Sequence, residues 1–382
     1  MKGRKSDKVK TLKLSYPGAP NNWQAHNYIN PSHPLLEKWR IVTNEAIHRA
    51  DAWFVLEDLP NGIEKCQVPR NMTFFGNLET CYELDWAVEN TYVNSFYHQF
   101  ENIFSCYLFD PKKTKSAPPF LPWMIYANHG NTVWKQPRFE SIAALKPQKK
   151  EKKISVICSN QRITAGHRSR IHFVRYLQQY FGENLVWFGN GVRPIKEKYS
   201  ALAPYQYSIV LENQSRHNVV TEKLGDSFLS YTYPIYWGAK NVDTYFDRRG
   251  FSQIDLESFE EAKTLIEKAL DENLFESRFE FLRLNREITL NEFNFISRIL
   301  SIVNNFSERL EPEYVNTTLY SSEYYAKGHR IGQKTPSTRI LPLIVNIDRK
   351  YGTNLERILT EIKILFKYNL FVSKFKVLKK SK

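Results

Sequence analysis

The residues best placed for polar chemistry fall between Tyr205 and Phe246, in YQYSIVLENQSRHNVVTEKLGDSFLSYTYPIYWGAKNVDTYF. Glu212, Asn213, Arg216, Thr221, Glu222 and Lys223 crowd one short part of it. Thr221 has the character of a helix N-cap, which puts Glu222 and Lys223 in a first helical turn. Free backbone N–H groups and the positive end of a helix favour an anion there, phosphate above all, and Lys223 adds a full charge. Glu222 could accept hydrogen bonds from sugar or ribose hydroxyls. Equally, Glu222 could do no more than complement the helix dipole, with Lys223 solvated.

Positive charge recurs upstream. Arg170 falls at the start of a helix that follows an apolar strand, where an arginine can grip a diphosphate with two N–H groups. Arg162 and Arg168 share the preceding loop, and residue type does not choose among the three. Gly189-Asn190-Gly191 lacks the third glycine of a dinucleotide fingerprint and reads as a tight strand exit. The chain has no P-loop, HExxH or GxSxG motif, and no Asp-x-Asp pair to hold a metal on a nucleotide-sugar diphosphate. No metal ligand set is therefore assigned, and cationic side chains must neutralise the phosphates. Glu79 follows the apolar MTFF run and could serve as a general base from a strand's carboxyl end. Glu57 and Asp58, after AWFVL, present the same choice, and most carboxylates of this kind are surface residues.

These side chains need a scaffold. Tyr207–Leu211, an elbow over 212–218, a helix from Thr221 and a strand ending at Trp237-Gly238 form a strand, loop, helix, strand unit, whose ligands sit at strand carboxyl ends. Further strands are expected at Lys153–Cys158, Asn184–Phe188 and Ser252–Leu256, with helices over Arg170–Phe181 and about 258–274. This βα series predicts a parallel, Rossmann-like sheet. Before it, strands are expected over 8–16, Ala52–Leu56, Met72–Phe75 and Trp86–Val88, with an amphipathic helix from His33 to about Ile47. The charged run Lys146–Lys153 reads as a solvated linker. The division is thus 1–150, 151–330 and a tail, 331–382: an α/β protein of two Rossmann-like lobes facing across a cleft, with a helical C-terminal tail.

The net charge of +14 points to an acidic partner. The basic residues are spread over linker and tail without an aromatic-interleaved binding motif, which speaks against nucleic acid. In the tail, apolar residues at 355, 358, 359, 362, 365 and 366 line one face among lysines, a pattern suited to an anionic membrane surface or to packing on the protein. The four cysteines lack metal or CxxC spacing, and no apolar run has the length of a membrane span or signal peptide. A cytoplasmic chain is the expectation, with peripheral contact at the inner face of the membrane the further reading of the tail.

The run YQYSIVLEN…VVTEKLGDSFLSYTYPIYWGAKNVDTYF resembles the donor-binding motif of the α1,3/4-fucosyltransferases, glycosyltransferase family 10. SNQRITAGHRSRIHFVRYL and FGNGVRPIKEKYSALAPY are similar to the family's upstream segments. DAWFVLEDL, FFGNLET and LPWMIYANH match its first lobe more faintly. The resemblance implies a GT-B-like, inverting glycosyltransferase that uses GDP-fucose and a glycan acceptor, in surface polysaccharide, lipopolysaccharide or protein glycosylation. It implies no required cofactor, a divalent metal at most stimulating. By position, Arg170 and Lys223 would bind the diphosphate, Asn213 and Glu222 the donor hydroxyls, and Glu79 would deprotonate the acceptor. Val219 stands where the family commonly has an aromatic residue, and Thr80-Cys81 follows Glu79 in place of Ser-Pro. A relative with another donor sugar, or a binding protein without transfer, are the alternatives.

Overall fold

Unbroken apolar runs bounded by polar turns are the mark of parallel strands buried on both faces, and they set the frame of this protein. The computed structural model describes residues 9–19, 23–78, 91–107, 109–126, 137–161, 165–309 and 312–329. Arg162, Glu79, the Trp86–Val88 segment and the tail 331–382 lie outside the described residues.

In order, the strands are β1 (Lys10–Ser15), β2 (Trp39–Thr43), β3 (Ala52–Leu56), β4 (Ile63–Pro69), β5 (Thr73–Gly76), β6 (Asn102–Ser105) and β7 (Thr114–Ser116). They continue with β8 (Glu151–Ile157), β9 (Leu185–Phe188), β10 (Tyr205–Leu211), β11 (Tyr233–Trp237), β12 (Ser252–Gln253) and β13 (Tyr314–Tyr320). A first parallel sheet has the order β2-β1-β3-β5-β6-β7, and a second has β12-β11-β10-β8-β9. These are the two α/β lobes of the expected architecture.

Alternation along β3 divides the first core. Ala52, Phe54 and Leu56 join Leu12, Leu14 and Phe74 under the Phe295–Ser307 helix. Trp53 and Val55 face the other way, with Phe75, Ile103, Phe96 and Phe100. On that side β4 pairs antiparallel with β13, which brings Val68 and Leu319 into the same cluster. Residues 295–307 and 314–320 therefore pack with the first lobe, β4 and β13 as a separate two-stranded sheet, and the packing of the second lobe extends to Phe293.

The helix expected from His33 is a correction. One turn, Leu35–Lys38, gives way to β2, which pairs parallel with β1. The apolar positions suit either period, but Ile41-Val42-Thr43 is a β-branched run beside an open edge of β1, and pairing prevails. Trp39 is buried at the junction, its indole N–H donating to Asn304 Oδ1 at 3.2 Å.

The solvated linker is a second correction. β8 begins inside the charged run, and Lys150 just before it reaches inward. Its ammonium donates to Ala203 O, Ser230 O at 3.1 Å and Thr232 Oγ1 at 3.2 Å. Burial among these neutral acceptors brings its pKa down to about 7.

The second sheet follows the expected βα series. Its helices are Ala165–Phe181, Glu222–Leu229 and Phe259–Asp271, and Gly182 ends the first of them at φ +54°. β8 connects to β9 on one side, whereas β10 lies on the other. The order reverses between β8 and β10, and the carboxyl ends of these two strands, at Ile157 and Leu211, mark the switch point where α/β sheets take their ligands.

Candidate functional site

Three chain segments meet at that edge: the loop after β8 with the helix that follows it, the elbow after β10, and the start of the Glu222–Leu229 helix. The exit from β9 lies close against the first of these. Gly189 has φ +142°, and a Cβ there would lie 2.4 Å from the Cys158 carbonyl oxygen. The Gly189-Asn190-Gly191 turn is thus a strand exit that needs glycine, as its spacing predicts.

Thr221 caps the helix as expected, its side chain accepting from Lys223 N. Glu212 organises this cap. Fully buried at 0% exposure, it accepts from Thr221 N at 2.8 Å, Thr221 Oγ1 at 2.7 Å and Lys223 Nζ at 3.2 Å. Burial works against the charge on Lys223, but Glu212 and then Glu222 outweigh it and raise its pKa. The Lys223 side chain stays 26% exposed, more than any other member of the cluster.

Glu222 turns to a different partner, Lys198, whose ammonium reaches Glu222 Oε1 at 2.8 Å and Asp226 Oδ2 at 2.9 Å. Burial opposes ionisation of Glu222, yet Lys198 and Lys223 together hold its carboxyl well below the ordinary range. In Asp226 the balance runs the other way, and burial lifts its pKa to about 6 against the pull of Lys198.

Arg170 is 6% exposed and donates from Nη1 to Leu211 O at 3.2 Å, which places it on the β10 edge. Its Nε is buried and has no hydrogen-bond partner among the described residues. Arg170 and Lys223 lie close enough to raise the cost of each other's charge. His167, one turn before Arg170 on the same helix, feels both. Burial, then Arg170, Lys223 and Arg168, lowers its pKa from 6.5 to about 4.

The structure therefore brings Arg170, Glu222 and Lys223 together, with half-buried Asn213 at the start of the elbow. Glu57 and Asp58 are occupied structurally: Glu57 Oε2 accepts from Leu78 N at 2.7 Å, and Asp58 Oδ1 accepts from Ser322 N at 2.9 Å. Val219 is buried at 1% exposure, and its carbonyl accepts from Tyr236 Oη at 3.1 Å. Substitution there acts on packing beneath the elbow. Sequence reasoning assigned no role to Lys198, Asp226 or His167 and saw Glu212 only as a polar neighbour. Their partners are set by tertiary contact, though a glutamate closing an apolar strand was a usable signal for Glu212. Among the described residues no group of three or more His, Cys, Asp or Glu could hold a metal ion.

The first lobe reaches this edge directly. Tyr107 Oη accepts from Gln214 Nε2 at 3.5 Å, and Ser116 Oγ accepts from Asn218 Nδ2 at 2.5 Å. Asp226 Oδ1 accepts from Met124 N at 3.0 Å.

His167 gives a pH test. The folded imidazole stays neutral down to about pH 4, whereas the unfolded chain takes up a proton below 6.5. Stability therefore rises with pH between these values, and acidification through the window removes about 3 kcal/mol. Urea unfolding at pH 7 and pH 4.5 should show a steeper loss for the wild type than for His167→Gln. Equal losses would contradict the assignment.

Cationic side chains at a helix N-terminus, with the Glu222 carboxylate held ionised beside them, suit a ligand carrying both phosphate and hydroxyl groups. The family model for glycosyltransferase family 10 (fucosyltransferase), C-terminal, matches residues 147–285. The alpha-(1,3)-fucosyltransferase FucT of Helicobacter pylori is 36% identical over 69 residues, 18% of this chain and 14% of that protein. The match thus spans a small part of that relative's length. A crystal structure of an alpha1,3-fucosyltransferase with GDP overlaps with a TM-score of 0.43 and 17% identity, covering 78% of this chain and 92% of that one. TarM overlaps at 0.37 and 10%, covering 66% and 55%. Over residues 147–285 the chain is similar to the C-terminal domain of glycosyltransferase family 10, the family that its donor-side motifs resemble.

Proposed function

We propose that this protein is an inverting glycosyltransferase that moves fucose from GDP-fucose to a hydroxyl of a glycan acceptor. The observation that carries the reading is the Thr221-Glu222-Lys223 helix start beside buried Arg170, at the switch point of a sheet within the family-matched segment. The relative's name, alpha-(1,3)-fucosyltransferase, supports the donor and the linkage class.

In this reading GDP is the leaving group, and charge develops on its β-phosphate as the glycosidic bond breaks. Lys223 and Arg170 stabilise that charge, from positions fixed before the reaction by Glu212 and the Leu211 carbonyl. Asn213 and Glu222 take donor hydroxyls. Glu79 removes the proton of the attacking hydroxyl on the opposite face, which inverts the anomeric centre in one displacement. No cofactor is required, a divalent cation at most stimulates, and the basic tail holds the enzyme at the inner face of an anionic membrane during surface-glycan synthesis.

Purified protein, GDP-fucose and a panel of glycans test this. The wild type should form fucosylated product with inverted anomeric configuration by NMR. Glu79→Gln should keep donor affinity while transfer falls by about 10²-fold or more. Lost donor affinity, or transfer near the wild-type rate, would remove Glu79 from the role of base. Donor binding without product from any glycan would leave a nucleotide-sugar-binding protein.

A further inference from the structure

Lys198 lies just before the short Tyr199–Leu202 helix, outside the motif that carries the proposed donor residues. Its side chain is 6% exposed, and those of its two partners, Glu222 and Asp226, are 9% and 1% exposed. Burying one ammonium against two carboxylates costs desolvation that apolar side chains in the same space would avoid. A cluster of this kind therefore calls for a role beyond stability, and its place beside the helix start suggests one.

We propose that Lys198 is a positioning residue for the donor site: it holds Glu222 ionised and aims its carboxylate, while Asp226 holds Lys198 in place. What Glu222 grips rests on the donor reading above; the electrostatic link between Lys198 and Glu222 does not. Glu222 is faced by Lys198, by Lys223 at 3.9 Å and by Asp226 one turn along its own helix. Glu212 draws Lys223 away toward the elbow, and Arg170 acts from the neighbouring helix by repelling Lys223. Among the described residues, Lys198 is the cation that meets both Glu222 and Asp226.

Its removal leaves two buried carboxylates without their shared counter-charge, so burial and mutual repulsion raise the titration of both, Asp226 first and then Glu222. A protonated Glu222 becomes a hydrogen-bond donor on one oxygen and loses the charge that makes it a strong acceptor of hydroxyl protons. Asp226 extends the linkage, because its other oxygen accepts from Met124 N in a segment that follows the first sheet.

Lys198→Met tests the idea through two readouts. The first is a carbon-13 titration of the Glu222 side-chain carboxyl. In the wild type it should stay ionised below about pH 4, and in the variant it should titrate about two pH units higher or more. The second is GDP-fucose affinity at pH 6 and pH 8. Wild-type affinity should change little, whereas Lys198→Met should bind about tenfold more weakly at pH 6 and recover part of the loss at pH 8. Lys198→Arg should restore most of the affinity.

In a Glu222→Gln background, Lys198→Met should cost little further affinity, because the two residues act in series. An equal loss in both backgrounds, or a Glu222 titration unchanged in Lys198→Met, would overturn the proposal. If Lys198→Met does not fold, Lys198→Met with Asp226→Asn removes one charge of each sign and supports the same two readouts. If the wild type does not bind GDP-fucose, the donor reading fails, and the carboxyl titration still decides the role of Lys198.

Discussion

Lys223→Ala is expected to lower turnover with GDP-fucose by about 10²-fold or more, and Arg170→Ala by a similar factor. The physical reason is where charge appears. In the proposed reaction negative charge grows on the β-phosphate as fucose departs, and fixed cations beside such a charge lower the barrier without reorganising. Lys223 is 26% exposed while Lys198 is 6% exposed, so of these two lysines Lys223 is the one open to a ligand. Arg170 is held by the Leu211 carbonyl through Nη1, and its Nε has no partner among the described residues. Steady-state rates at saturating GDP-fucose measure the effect, with melting curves as the control for folding. Near-normal turnover in either variant would remove that residue from leaving-group stabilisation.

Glu212→Ala should destabilise the protein by about 3–5 kcal/mol in urea unfolding. This carboxylate is fully buried and accepts from Thr221 N, Thr221 Oγ1 and Lys223 Nζ. Its loss leaves the Thr221 N–H and hydroxyl without their buried acceptor and Lys223 without its nearest counter-charge. Donor affinity should fall together with stability, because Lys223 is no longer anchored. A loss below about 1 kcal/mol would show that the cap stands without Glu212.

The unit from β10 to β11 was legible because its code is local. Two apolar runs bounded by polar residues, with Thr-Glu-Lys between them, specify strand, cap, helix and strand whatever surrounds them. The pairing of β4 with β13 was not legible, since it joins residues far apart in the chain. β2 was read as helix because its apolar spacing fits both periods, and the open edge of β1 decided the matter. Lys150 read as solvent-facing in a run of lysines, yet three oxygen acceptors from the second lobe draw its ammonium inward.

The site divides along the same line. Arg170, Glu222 and Lys223 belong to continuous motifs and are placed together by the fold. Lys198 and Asp226 sit on separate elements, and the charge that each needs is visible only once they are packed. Val219 drew notice as a departure from the family pattern, but its burial makes it part of the packing beneath the elbow.

The central claim, that the β10 edge binds GDP-fucose through Arg170 and Lys223, is tested most directly by thermal melting with a panel of nucleotide sugars. GDP-fucose should raise the Tm of the wild type, UDP-sugars should not, and the rise should shrink in Arg170→Ala and Lys223→Ala. Clear stabilisation by a UDP-sugar, with none from GDP-fucose, would contradict it.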